Sequence, residues 1–303
     1  MRTLSFSLAG LLLAACQPAD SPGPPDPAAQ SLTPEDEAFV EATAAEHVDD
    51  APTPSPLTEG VPARPLLEQE LAYGEADGQN LTGFLAMPED AAEPLPGLLV
   101  IHEWWGLNDN IKAMTRQLAA EGYVALAVDL YGGRVAEETS GAQTLMAEIV
   151  AEPDAVRANL RQAYDYLDRY AFAPSVGSIG WCLGGGWSLQ TALMLPDQLD
   201  AMVMYYGRVV TDEDLLEPLR MPMLGHFGEQ DASIPIPDVQ SFRNVLVRQG
   251  KQADIHIYSG ADHAFANPSG GNYSPVAAEE SWERTIEFLN ANLSRSDSAL
   301  PGL

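Results

Sequence analysis

Between residues 66 and 293 the chain alternates two textures. Short apolar runs at 97–102, 123–130, 176–181, 201–206, 223–227 and 253–258 predict buried strands. Between them lie stretches with apolar residues every three or four positions. One runs over 110–121, with Ile111, Met114 and Leu118 on one face and Gly122 as its stop. Others run over 137–150, 153–170, 183–195 and 237–249, and Trp282, Ile286 and Leu289 mark a closing helix. Residues 66–73 and 81–87 read as a hairpin-like strand pair around 74–80. Strands alternating with helices predict an α/β domain over 66–295, a mostly parallel central sheet covered on both faces. Ligands on such sheets bind beyond the carboxyl ends of the strands.

Upstream the pattern stops. Residues 17–65 are rich in Pro, Ala, Asp and Glu, with little to bury, and read as a disordered tether. Within it Thr33 and Pro34 can open a short helix reaching His47, to which no function attaches. Residues 1–16 have Arg2, an apolar run at 4–13 too short to span a membrane, and the ending Leu13-Ala14-Ala15-Cys16. That ending resembles a bacterial lipobox, which implies a signal peptide and lipidation of Cys16. Gln17 after the cysteine implies an outer-membrane destination, by resemblance to Gram-negative lipoproteins. Residues 296–303 are a C-terminal tail.

Charge narrows the partners. With 44 acidic against 15 basic residues the formal charge is −29, so the chain repels nucleic acid and anionic membrane surfaces. Contact with a membrane is expected through the lipid anchor only. The two cysteines, Cys16 and Cys182, each belong to a motif of their own, so no disulfide framework is expected.

The segment Gly180-Trp181-Cys182-Leu183-Gly184-Gly185 sits where a buried strand gives way to a helix. In a nucleophile elbow the central residue occupies a strained turn above the sheet, and small neighbours let strand and helix close up. The helix N-terminus offers N–H groups to a thiolate or an oxyanion. A buried structural cysteine in a glycine-rich turn would explain the segment alone, but the downstream residues favour a nucleophile. Asp231 follows the 223–227 strand and His263 follows the 253–258 strand, giving nucleophile, acid and base in chain order. Asp231 would orient His263, which would take the Cys182 proton and return it to a leaving group. Asp262, adjoining His263, reads as a turn former. His47 in the tether, His102 and His226 in or beside apolar strands, and His256 within the last strand read as structural. No metal-ligand spacing stands out.

These residues, with Ile101-His102-Glu103-Trp104-Trp105-Gly106-Leu107-Asn108, Val128-Asp129-Leu130-Tyr131-Gly132 and His263-Ala264-Phe265, resemble the dienelactone hydrolase family over almost the whole domain. The resemblance implies an α/β-hydrolase fold and Cys-His-Asp cleavage of an ester or lactone without a cofactor. It implies that Glu103 contacts the resting thiol and that the N–H groups of Trp104 and Leu183 form an oxyanion hole. It also implies an arginine for a substrate carboxylate four residues after the histidine, where this chain has Asn267. Arg134 and Arg157 are candidates for a second such arginine. An alternative is a binding module that kept the fold and lost catalysis; such a chain is expected to lack a triad member, and none is missing. Thiol–disulfide exchange is a third reading, disfavoured by the lack of a second cysteine nearby.

Overall fold

The computed structural model describes residues 32–48 and 50–293. Leu66–Ala76 (β1) and Gln79–Pro88 (β2) are antiparallel. They turn at Asp77 and Gly78, both at positive φ. Such a two-residue turn matches the twist of a hairpin, so the strands run further into 74–80 than the sequence predicted. A register shift between Ala72 and Gly74 absorbs the mismatch.

Gly97–Ile101 (β3), Val124–Val128 (β4), Val176–Trp181 (β5), Ala201–Tyr205 (β6), Met223–Gly228 (β7) and Ala253–Tyr258 (β8) complete one eight-stranded sheet. Its order is β1-β2-β4-β3-β5-β6-β7-β8, parallel from β4 through β8. Every residue of β3 to β7 is buried, which accounts for their unbroken apolar texture. The helices of the domain are Asp109–Ala120 (α2), Thr139–Ala151 (α3), Pro153–Arg169 (α4), Leu183–Met194 (α5), Glu213–Leu216 (α6), Ile236–Arg248 (α7) and Pro275–Asn292 (α8). The short α6 has too few residues to carry a helical period and escaped the sequence reading; the Asp212 side chain caps it. Among the described residues no helix is long and apolar enough to cross a membrane.

The stretch read as a tether departs from expectation. Residues 32–65 pack on the domain, while 17–31, the 1–16 segment with Cys16 and the tail from 294 lie outside the described residues. Pro34–Glu46 (α1) is capped by Thr33, whose Oγ1 accepts from Asp36 N–H at 3.2 Å. It buries only Val40 and Thr43. Its hold is largely polar: Arg208 pairs with Glu35 at 2.6 Å and Asp36 at 2.8 Å, and stacks over Phe39. Composition measures what a segment can bury, and is blind to polar contacts with loops far along the chain.

The joint between β5 and α5 is the tightest place in the sheet. A Cβ on Gly184 would land on the carbonyls of Ile101 and His102, and one on Gly185 on the carbonyl of Tyr205. We expect Gly184→Ala to cost about 1–3 kcal/mol in urea denaturation, because neither carbonyl can yield. Gly186→Ala on the same helix meets only ordinary contacts at 3.4 Å and beyond. It should be neutral or stabilising by up to about 1 kcal/mol.

Candidate active site

Cys182 sits at this joint with φ 53° and ψ −120°, a left-handed backbone in a residue with a side chain. The turn lifts its sulfur above the carboxyl edge of the sheet, where the loops after β7 and β8 bring Asp231 and His263. His263 donates from Nδ1 to Asp231 Oδ2 at 2.8 Å, and Asp231 Oδ1 accepts the Ile234 N–H at 2.8 Å. Asp262 instead accepts the backbone N–H of His263, so it does not orient the ring. Cys182, Asp231 and His263 are 3, 4 and 1% exposed.

A residue that sequence reasoning set aside completes the group. His47, just past the end of α1, is 2% exposed, and its ring lies 4.7 Å from that of Trp104 and 5.6 Å from that of His263. Its Nδ1 donates to Asp50 Oδ2 at 2.7 Å. Cys182 Sγ and one nitrogen each of His47 and His263 lie within 4.8 Å of one another. With both Nδ1 atoms engaged, the Nε2 atoms are left to the sulfur and have no other hydrogen-bond partner. Cys182 therefore stands between two imidazole–carboxylate pairs. Among the described residues this is the one cluster with a donor set able to hold a metal ion. The only sequence signal for His47 was the Thr33-Pro34 helix start; nothing local marks Asp50.

Burial pushes the Cys182 thiol up, but the charges of His263 and His47 outweigh it and bring it from 9.0 to about 6. Burial likewise opposes charge on His263, yet Asp231 and Cys182 hold it well above the ordinary histidine range. His47, against the same burial, is raised to about 9 by Asp50 and Cys182. Both shifts favour thiolate on Cys182 and imidazolium on His263 at rest.

Glu103 is pushed up to about 8 by burial and by the neighbouring Cys182 charge, so it is protonated at neutral pH. Its hydrogen bonds come from Asn267 Nδ2 at 2.6 Å and Tyr206 Oη at 3.4 Å. The expected contact with the thiol is electrostatic here. Asn267 is thus committed to Glu103, a role the sequence did not suggest. Around them the β3 and β4 loops are pinned together. His102 Nε2 accepts the Leu130 N–H, and Tyr131 Oη donates to the Trp104 carbonyl at 3.0 Å. Among the described residues, neither the Trp104 N–H nor the Leu183 N–H donates to a protein acceptor.

The two candidate arginines are occupied elsewhere. Arg134 pairs with Glu148, and Arg157 with Asp154 and Gln190, both with half-exposed side chains and neither joined to Cys182 or His263. His102 and His226 are spent on buried structural hydrogen bonds, and His256 on Asp254 at the sheet edge.

Sheet order, elbow and carboxyl-edge residues together define a hydrolase of the α/β-hydrolase fold. The sequence profile described as "Dienelactone hydrolase family" matches residues 81–293. A carboxymethylenebutenolidase-like protein of Saccharolobus solfataricus is 33% identical over 262 residues, covering 74% of this chain and 98% of the relative. One from Escherichia coli is 32% identical over 257 residues, covering 79 and 93%. A solved dienelactone hydrolase-like structure from Klebsiella pneumoniae superposes with a TM-score of 0.67 at 29% identity, covering 74 and 98%. The chain belongs to the dienelactone hydrolase family.

Because the thiol is held below its ordinary value, Cys182 is mostly thiolate above about pH 6, whereas a thiol at 9.0 is half ionised only at pH 9. Ultraviolet thiolate absorbance, taken as the difference between the parent and Cys182→Ser, should therefore titrate near pH 6. A midpoint at 8 or above would sink the ion-pair reading.

Proposed function

We propose that the enzyme hydrolyses neutral carboxylic esters or lactones through a thioester on Cys182. The alignment of Asp231, His263 and Cys182 at the elbow carries this reading. The Cys182 thiolate attacks the acyl carbon, and the ester C–O bond breaks. His263 Nε2 gives its proton to the leaving alkoxide, which departs or, for a lactone, stays attached through the acyl chain. His263 then takes a proton from water, the hydroxide attacks the thioester, and the thiolate leaves as the carboxylic acid forms. Asp231 keeps Nδ1 protonated throughout, and so keeps Nε2 available. The unengaged N–H groups of Trp104 and Leu183 supply the oxyanion hole.

The preference for neutral substrates rests on the lining. A cleft of about 290 Å³ reaches toward Cys182 through its neighbour Trp181; it is bordered by Leu57, Met114, Ala266, Trp282 and the carboxylate of Glu279 among others, with no arginine or lysine along it. Burying a carboxylate without a cationic partner is costly, and Arg134, Arg157 and Asn267 are engaged elsewhere. The formal charge of −29 opposes anions further.

Cys182→Ala should abolish turnover of an aryl acetate, and Asp231→Asn should lower kcat by roughly 10³-fold or more without loss of fold. Mass spectrometry of the quenched parent enzyme should find an acyl group on Cys182. Undiminished turnover in Cys182→Ala would remove the thiol from the mechanism.

For specificity, kcat/KM for a neutral lactone should exceed that for its carboxylated analogue by roughly 10-fold or more, since one charge-assisted hydrogen bond is worth about 1.5–3 kcal/mol. The opposite ranking would mean that a cation reaches the acyl site.

The address is proposed from the sequence of residues 1–17: lipidation at Cys16 and a place in the bacterial envelope, on the periplasmic face of the outer membrane. Mass spectrometry of the mature N-terminus should find a diacylglyceryl adduct on Cys16. An unmodified terminus elsewhere would refute the anchor.

A further inference from the structure

The catalytic thiol has no open approach. Cys182 is 3% exposed, and the side chains over it, His47 and Trp104, are 2 and 0% exposed. The cavity beside it, lined by Glu103, Tyr206 and Asn267 among others, measures about 20 Å³. That is room for a water molecule and not for an ester. What closes the site comes from the stretch before β1, and that stretch is held unlike the rest of the domain. Val40, Thr43, Phe39 and Ala44 of α1 and the His47 ring pack inward, against Trp104 and Trp105 in the case of His47, and the remaining contacts of the stretch are polar. Arg208 takes Glu35 and Asp36. Glu46 accepts the Ala232 N–H at 3.0 Å, Thr139 Oγ1 donates to the His47 carbonyl at 2.7 Å, and Asp50 accepts the Gly271 N–H at 2.9 Å. The exposed ones among these, Arg208–Glu35, Glu46–Ala232 and Asp50–Gly271, are individually weak and break readily.

We propose that residues 32–48 and 50–60 form a lid over the active site, seated by His47 against the Cys182 thiol and raised to admit the ester. The proposal rests on Cys182 as the reactive thiol. Two features give the lid its direction of movement. Asn110 clamps its far end, accepting the Ser55 N–H and donating to the Thr53 carbonyl, both at 2.9 Å. Motion is therefore a swing of 34–48 and 50 about that clamp. Leu57, just beyond the clamp, lines the 290 Å³ cleft, so the fixed end of the lid borders that cleft.

The seat depends on charge. His47 Nε2 is buried with no partner other than the sulfur, and the attraction of the sulfur is what offsets the cost of its burial. When Cys182 becomes a neutral thioester the attraction disappears, while the buried imidazolium keeps its desolvation penalty. The lid is then disfavoured closed at the stage when water must reach the acyl group. It closes again when hydrolysis regenerates the thiolate, protecting it from oxidation.

The test is alkylation of Cys182 by iodoacetamide in the full chain, with rates compared at their pH plateaus so that access and not ionisation is read. Arg208→Glu, and separately the double change Glu35→Ala with Asp36→Ala, should raise the plateau rate roughly 3- to 30-fold, the span expected from losing two exposed ion pairs. Hydrogen exchange over 34–48 should quicken in parallel, with strands β3 to β7 unchanged as the control for folding. Cys182→Ala should quicken exchange over the same residues, since the seat is gone. Unchanged alkylation in both surface variants overturns the lid, and so does faster alkylation with unchanged exchange over 34–48. Alkylation reads the thiol whether or not it turns over esters, so failure here is distinct from failure of the hydrolytic mechanism.

Discussion

The left-handed backbone at Cys182 is the constraint on which the rest of the site depends. A residue with a Cβ in such a conformation stores about 1–3 kcal/mol and persists only where the surroundings over-determine it. Here they do: Gly184 lies against the Ile101 and His102 carbonyls, Gly185 against Tyr205 and Gly207, and the Cys182 N–H donates to the Tyr205 carbonyl at 3.0 Å. Side chains at those glycines would push the helix away and relax the turn. Tyr206 and Ala264, at φ 36° and 59°, hold the same kind of backbone at the same sheet edge. Strain is thus concentrated where strands end and chemistry begins, and the fully buried strands β3 to β7 absorb it.

Around that fixed point the charges form a closed set. The thiolate is flanked by His263 and His47, each backed by a carboxylate, Asp231 and Asp50. Glu103, pushed up to about 8, withdraws from the balance by holding its proton, and Asn267 and Tyr206 keep its carboxyl in place. In a site this dry each interaction is far stronger than its surface counterpart. The formal charge of −29 is mostly carried on the exterior, where salt screens it; it shapes the approach of a substrate more than the protonation of the thiol.

The domain and the residues proposed for acyl transfer were legible because both are written in local pattern. A strand buried on two faces must be apolar throughout, and a helix beside it must repeat at its own period, so the order of elements follows from hydrophobicity alone. Cys182, Asp231 and His263 could be grouped from the sequence, and lie together in the structure, because each follows directly on a recognisable strand and the fold delivers strand ends to one edge. The hairpin ends were misjudged by a few residues, because Asp77-Gly78 makes a turn tighter than the polar stretch around it suggested.

His47, Asp50 and the Glu103–Asn267 bond were decided by tertiary structure. The stretch from 32 to 65 has the composition of a chain with too little to bury, and that composition was read as a tether. It packs because Arg208, Thr139, Ala232 and Gly271, scattered through later loops, offer partners for its polar groups. Hydrogen bonds and ion pairs between distant loops follow no period, so nothing along the chain announces them. The sequence by itself determined the α/β domain and the residues its strands present, since burial imposes a rhythm on both. Which residues pack around Cys182 depended on contacts that exist only once the sheet has brought those loops to one edge.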